Sequence, residues 1–153
     1  MIDILTLPDL FERRFYKIEL VTGSKPTFEA GEMVDLLWNS TLNVRTIRKI
    51  TGDPVGTPVP VFQDTKRRDE IGDVLASGGT TVIEGAIDMY TDKFVDAMVS
   101  GSQNDPLTVD GGEWKKAVSG KTVYGRLLEV PSAISAQGGE ARIKIADSPH
   151  VLA

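Results

Sequence analysis

The sequence predicts a mainly β fold: a small antiparallel β-barrel or sandwich-like domain with one or two short helices and an extended N-terminal arm. Three observations carry this. Short runs of β-branched and aromatic residues alternate with polar ones, the period of a half-buried strand. Asp110-Gly111-Gly112 and Gly138-Gly139 punctuate the C-terminal runs, and such dipeptides accept the positive φ of tight hairpin turns. Residues 51–62 hold three prolines and two glycines, a density that forbids a helix or a central strand. The expected division is an arm over residues 1–12 and a single β-rich domain over residues 13–153.

The arm carries Ile2, Ile4, Leu5, Leu7, Leu10 and Phe11, interrupted by Pro8. It has little periodic signal of its own, and its alternatives are a clamp on a partner or an edge strand on its own subunit. Asp9 is placed to cap one or two helical turns over residues 10–14. Tyr16, Ile18 and Leu20 alternate with Lys17 and Glu19, which predicts a half-buried strand ending at Gly23. Residues 28–38 read as a turn and a strand, and Leu42, Val44, Thr46 and Ile50 as another strand with basic residues between. Residues 51–62 should then be an extended, exposed loop. Its Val55, Val59, Val61 and Phe62 call for a contact, either with another chain or with the subunit's own core.

Residues 80–90 read as one strand. Thr91 follows as a cap for a short helix presenting Phe94, Val95, Met98 and Val99. The remainder is β-meander: strands at 107–109, 114–118, 123–130 and 141–146, with turns at 110–112, 119–121 and 138–139. Gly125, inside a strand, allows a bulge or a close approach of another chain. Ser119-Gly120-Lys121-Thr122 ends like a phosphate-binding loop, but Lys115 stands where that motif needs its first glycine. The residues before it are no buried strand and those after it no helix, so a turn between strands is the expectation.

Composition removes several classes of function. With 153 residues, 41% apolar and 25% charged, the chain suits one soluble domain. The net charge of −5 argues against nucleic acid. Lys66-Arg67-Arg68 runs directly into Asp69-Glu70 and reads as a solvated loop. There is no cysteine, which excludes disulfides, thiol catalysis, zinc fingers and iron–sulfur clusters. The single histidine, His150, rules out a multi-histidine metal site and reads as an exposed tail residue. No metal or cofactor is expected. The first residues lack a basic region and no apolar run approaches the ~20 residues that span a bilayer. Neither a signal peptide nor a membrane is expected, and synthesis should be cytoplasmic, leaving the sequon Asn39-Ser40-Thr41 silent.

A resemblance appears in the C-terminal part. Asp105-Pro106-Leu107-Thr108-Val109-Asp110, the glycine turn, the short strand to Val118, the strand from Thr122 to Val130 with Gly125 inside it, the small-residue loop and the alternating strand at 141–146 follow one another. This order resembles the capsid decoration (cement) proteins of tailed bacteriophages. The match covers residues 105–146, and residues 80–99 loosely. It implies a non-enzymatic structural protein on the outside of a phage capsid, a homotrimer at local three-fold positions that bridges major capsid proteins. On that reading Ile2, Ile4, Leu5, Leu7, Leu10 and Phe11 are capsid contacts. Val55, Val59, Val61 and Phe62 are loop contacts or part of the trimer interface.

Two alternatives from other classes stand beside it. Asp88 and Asp92, or Asp69, Glu70 and Asp73, are carboxylates that could serve a small enzyme. Trp38, Trp114 and Tyr124 hint at a carbohydrate-binding β-sandwich.

Overall fold

Alternating apolar side chains build eleven strands in two sheets among the described residues. The computed structural model describes residues 1–19, 26–62 and 79–153. The strands are β1 (Ile2–Ile4), β2 (Glu12–Ile18), β3 (Met33–Asn39), β4 (Val44–Lys49), β5 (Thr57–Pro60) and β6 (Gly79–Glu84), then β7 (Asp88–Thr91), β8 (Pro106–Asp110), β9 (Glu113–Lys116), β10 (Thr122–Glu129) and β11 (Ala141–Val151). One sheet has the order β1-β7-β11-β10-β8-β9 and the other β5-β3-β4-β2-β6. Short 3-10 turns lie at Pro8–Leu10, Asp96–Ser100 and Ser135–Gln137. The fold is mainly β and sandwich-like, as expected, without a closed barrel.

The period of two explains why the five-stranded sheet is buried on both faces. Met33 and Ile83 point to the larger core, which they share with Met89, Trp114, Leu127 and Ile143 of the six-stranded sheet. Their chain neighbours Val34 and Val82 point the opposite way, into a second core with Ile18, Leu36, Ile47 and Val61. The sheet curls around that second core. A bridge between Val61 and Val82 and a bond from the Phe62 N–H to Thr81 O (2.9 Å) join its two edges at one end.

Several expectations need correcting. Residues 12–14 belong to β2, paired with β6 from Glu12↔Glu84 onward, and the only helical turn there is Pro8–Leu10. Cross-strand pairing outweighs the local capping signal. The pairing of β2 with β4 is parallel, at Lys17↔Thr46 and Ile18↔Ile47, so the fold is not purely antiparallel. Residues 57–60 are a strand, not an exposed loop. The prolines fit because β5 lies at the sheet's edge and pairs with β3 alone. The single strand expected at 80–90 is two strands in different sheets. Gly85, at φ +138°, makes the corner, and a Cβ there would stand 3.3 Å from Leu10 O. The expected strand end at Gly23, the basic run at 66–68 and the acids Asp69, Glu70 and Asp73 lie outside the described residues.

The four C-terminal strands form where expected, but not as a meander: β10 pairs with β8 and not with its chain neighbour β9, which lies at the sheet's edge. Gly111 and Gly112 both take positive φ, 59° and 87°, in the turn joining β8 to β9. Gly125 sits at the expected irregularity, since the β10–β11 register shifts between Val123 and Gly125, while the close approach there is of the same chain: a Cβ would lie 2.8 Å from Lys144 O. His150 is exposed, but in β11 opposite Val123.

Glu32 gives the fold a pH dependence. Burial raises its carboxyl above the ordinary glutamate range, more than Lys49 at 3.3 Å lowers it. A raised carboxyl binds more protons folded than unfolded, so its contribution falls as pH climbs from the ordinary range through the raised value. Glu32→Gln should therefore flatten the stability curve between about pH 4.5 and neutrality. Denaturant midpoints of both proteins across that range check this; an unchanged slope would show that Glu32 is not the group responsible.

Candidate functional site

The arm is anchored rather than free. Ile2, Asp3 and Ile4 pair with Thr91, Tyr90 and Met89, so β1 is an edge strand of its own subunit. The Met1 ammonium bonds Ala30 O at 2.6 Å and Asp92 at 2.7 Å. The Leu5 N–H donates to Asp88 O (2.8 Å), and the Asp88 N–H to Thr6 Oγ1 (2.7 Å). Ile2, Ile4 and Phe11 pack against the subunit's larger core. Leu5, Leu7 and Leu10 stay open, at 43%, 65% and 65% exposure. The six residues expected as one contact surface thus divide in two, with only these three leucines directed outward.

The loop set divides similarly. Val59 and Val61 are buried in the smaller core. Phe62 packs on the larger core and lies beneath Arg13, whose guanidinium sits 4.4 Å from the ring. Val55 alone is exposed. The buried Asp35 carboxylate accepts from the Val55 and Gly56 N–H groups, at 3.2 and 3.1 Å, and fixes the loop.

A groove unmarked by sequence motifs gathers four exposed apolar side chains, Phe15, Trp38, Leu42 and Val44. Its origin is the same two-residue period. Tyr16, Trp38 and Arg45 lie two residues along their strands from the core residues Ile18, Leu36 and Ile47. They share that face, but beyond the core, where the curled sheet opens. Trp38 is 59% exposed, and Phe15, Leu42 and Val44 are exposed beside it. Together they line an open groove of about 610 Å³ with the cations Arg14, Lys17 and Arg45, and no acid among its walls. Behind the wall, Tyr16 OH donates to Glu84 (2.7 Å), and Arg45 donates to Tyr16 OH (3.3 Å) and Glu84 (3.1 Å). Burial first, then the bond to Glu84, raise the Tyr16 phenol above its usual range. Arg14 reaches Glu84 at 3.5 Å and also pairs with Glu12. Lys17 has no acidic partner among the described residues.

The other candidates lose their chemistry to local partners. The Lys121 Nζ of the loop lookalike bonds Asp53 at 2.6 Å, which raises the lysine and lowers the carboxyl. The Gly120 N–H is spent on Leu152 O at 2.8 Å, in a cleft of about 350 Å³. Asp88 is clasped by Arg142 at 3.0 and 2.8 Å, and Asp92 holds the N-terminal ammonium. Among the described residues no three His, Cys, Asp or Glu side chains are grouped to hold a metal. No described helix is long and apolar enough to cross a membrane. Trp114 is fully buried and Tyr124 half-buried, so of the three aromatics singled out for carbohydrate stacking only Trp38 is open. The chain matches no family model, no curated protein and no solved structure.

The open groove was within reach of sequence reasoning only in part. Alternation places Trp38 on the face of Val34 and Leu36, but not at the end of the curl where that face meets solvent.

Proposed function

We propose that this chain is a structural virion protein that decorates the outer surface of a phage capsid. It acts as a homotrimer at local three-fold positions and bridges neighbouring major capsid proteins. The observation that carries this reading is the anchored, outward arm segment. Leu5, Leu7 and Leu10 are exposed on a stretch held at one end by β1 and at the other by the Gly85 corner beneath Leu10 and Phe11. Three leucines held toward solvent on a fixed backbone are contact surface for a neighbour in an assembly. They bind with less ordering cost than a free tail. The resemblance of residues 105–146 to capsid decoration proteins supplies the kind of assembly.

The purified protein should be a trimer without any capsid. Light scattering coupled to size exclusion is expected to return three times the 16.6 kDa of one chain. A monomer at micromolar concentration would contradict it.

A further inference from the structure

We propose that in the assembled protein the outward arm segment of one copy, residues 5–10, lies in the Trp38 groove of the next. This rests on the trimer proposed above and narrows it, assigning the arm's leucines to a neighbouring copy rather than to the shell.

The two surfaces are both apolar and are complementary in charge. The arm offers Leu5, Leu7 and Leu10, all exposed. The groove offers Trp38 and Phe15, also exposed, with Leu42 and Val44 beside them. Residues 1–12 contain Asp3, Asp9 and Glu12 and neither lysine nor arginine. The groove walls contain Arg14, Lys17 and Arg45 and no acid. Glu12 already pairs with Arg14 within one chain. Lys17, and Asp3 on the arm, have no oppositely charged partner among the described residues. Set against Glu12 and Glu84, the three groove cations leave one net positive charge, on a chain whose own net charge is −5. Tryptophan, tyrosine and arginine grouped around exposed leucine and valine are the composition of protein–protein contact centres.

Because the arm and its receiving groove are different patches of the surface, their contact between copies is head-to-tail. Such contacts close into rings when the rotation between copies allows it. The arm and the groove wall are joined by only a few residues, since residue 10 leads directly into β2, which carries Arg14 and Lys17. Each copy would therefore give and receive on neighbouring strips of surface. The bonds of Tyr16 and Arg45 to Glu84 hold the groove wall from behind before a partner arrives, which lowers the ordering cost of association.

The test uses complementation between two variants of the full chain. Leu7→Asp with Leu10→Asp disables the arm, and Trp38→Asp disables the groove. All three positions are exposed, so circular dichroism should show both variants folded. If an aspartate version does not fold, Leu7→Ser with Leu10→Ser and Trp38→Ser are read in the same way. Each variant alone is expected to be monomeric, with association weakened on the order of a hundredfold. Mixed together they should form a species of two chains, twice 16.6 kDa, because one intact arm then meets one intact groove. In the wild-type trimer iodide should fail to quench Trp38, whereas Trp114 is buried in either state.

A wild-type trimer that survives both variants overturns this proposal and leaves the trimer standing. So does a mixture that stays monomeric, or a trimer whose Trp38 remains quenchable; the groove would then be open to a shell protein or a glycan. A wild-type monomer overturns the trimer itself.

Discussion

Trp114→Ala is expected to cost about 3–5 kcal/mol of folding stability, the largest loss from a single substitution in this chain. The indole is fully buried at the centre of the larger core, among Met33, Phe94, Val109 and Leu127. Its ring also fills the space left by Gly125, where a Cβ would lie 3.0 Å from Cζ3. The backbone at this position ties a second segment to the sheet: the Trp114 N–H donates to Lys93 O and the Val95 N–H to Trp114 O, both at 3.0 Å. Those bonds survive the substitution, so the loss reports the cavity. The indole Nε1 has no hydrogen-bond partner among the described residues. Trp114→Phe therefore removes an unsatisfied donor together with part of the ring, and should cost much less than alanine. Denaturant titration of both variants checks the order. Equal losses would show that ring volume is not what matters there.

Deleting residues 1–7 should cost about 3–5 kcal/mol and promote aggregation. This is a different outcome from the one suggested by a free arm, whose loss would leave the domain intact. Ile2 and Ile4 pack on the core, β1 covers the edge of β7, and Thr6 satisfies the Asp88 N–H. Removal exposes apolar surface and an unpaired strand edge together. By contrast, Leu7→Ser with Leu10→Ser should leave the stability of the separated subunit within about 0.5 kcal/mol per site, compared at concentrations where the wild type is dissociated, since both side chains are in solvent there. Thermal melts of the three proteins separate the two roles of the arm. A truncated protein as stable as the full chain would show that β1 contributes nothing to the sheet.

The contrast between these regions follows how much of the fold is encoded locally. The C-terminal strands were readable because Asp110-Gly111-Gly112 and the alternation at 141–146 fix turn and face within a few residues. The parallel pairing of β2 with β4 and the corner at Gly85 are set by distant contacts, and nothing within residues 12–18 or 80–90 announces them. The valines of residues 51–62 showed that burial was needed. Only the sheet order shows that β5 finds it against β3, inside the same subunit. For the site, Leu5, Leu7 and Leu10 were expected as contact residues and are the outward ones. Ile2, Ile4 and Phe11 could not be told from them, because strand pairing with β7 decides which side faces the core. The groove was missed because the exposure of Trp38 depends on where the smaller core ends, a property of the curled sheet as a whole.

Decoration itself is tested most directly with undecorated heads of the phage that the proposed function implies. The purified protein is mixed with them, the heads are sedimented, and occupancy is measured and imaged by cryo-electron microscopy. Saturable binding is expected, with density for one trimer at each local three-fold position on the outer surface. Protein that stays in the supernatant at micromolar concentration, with heads that remain bare, would contradict the proposed role.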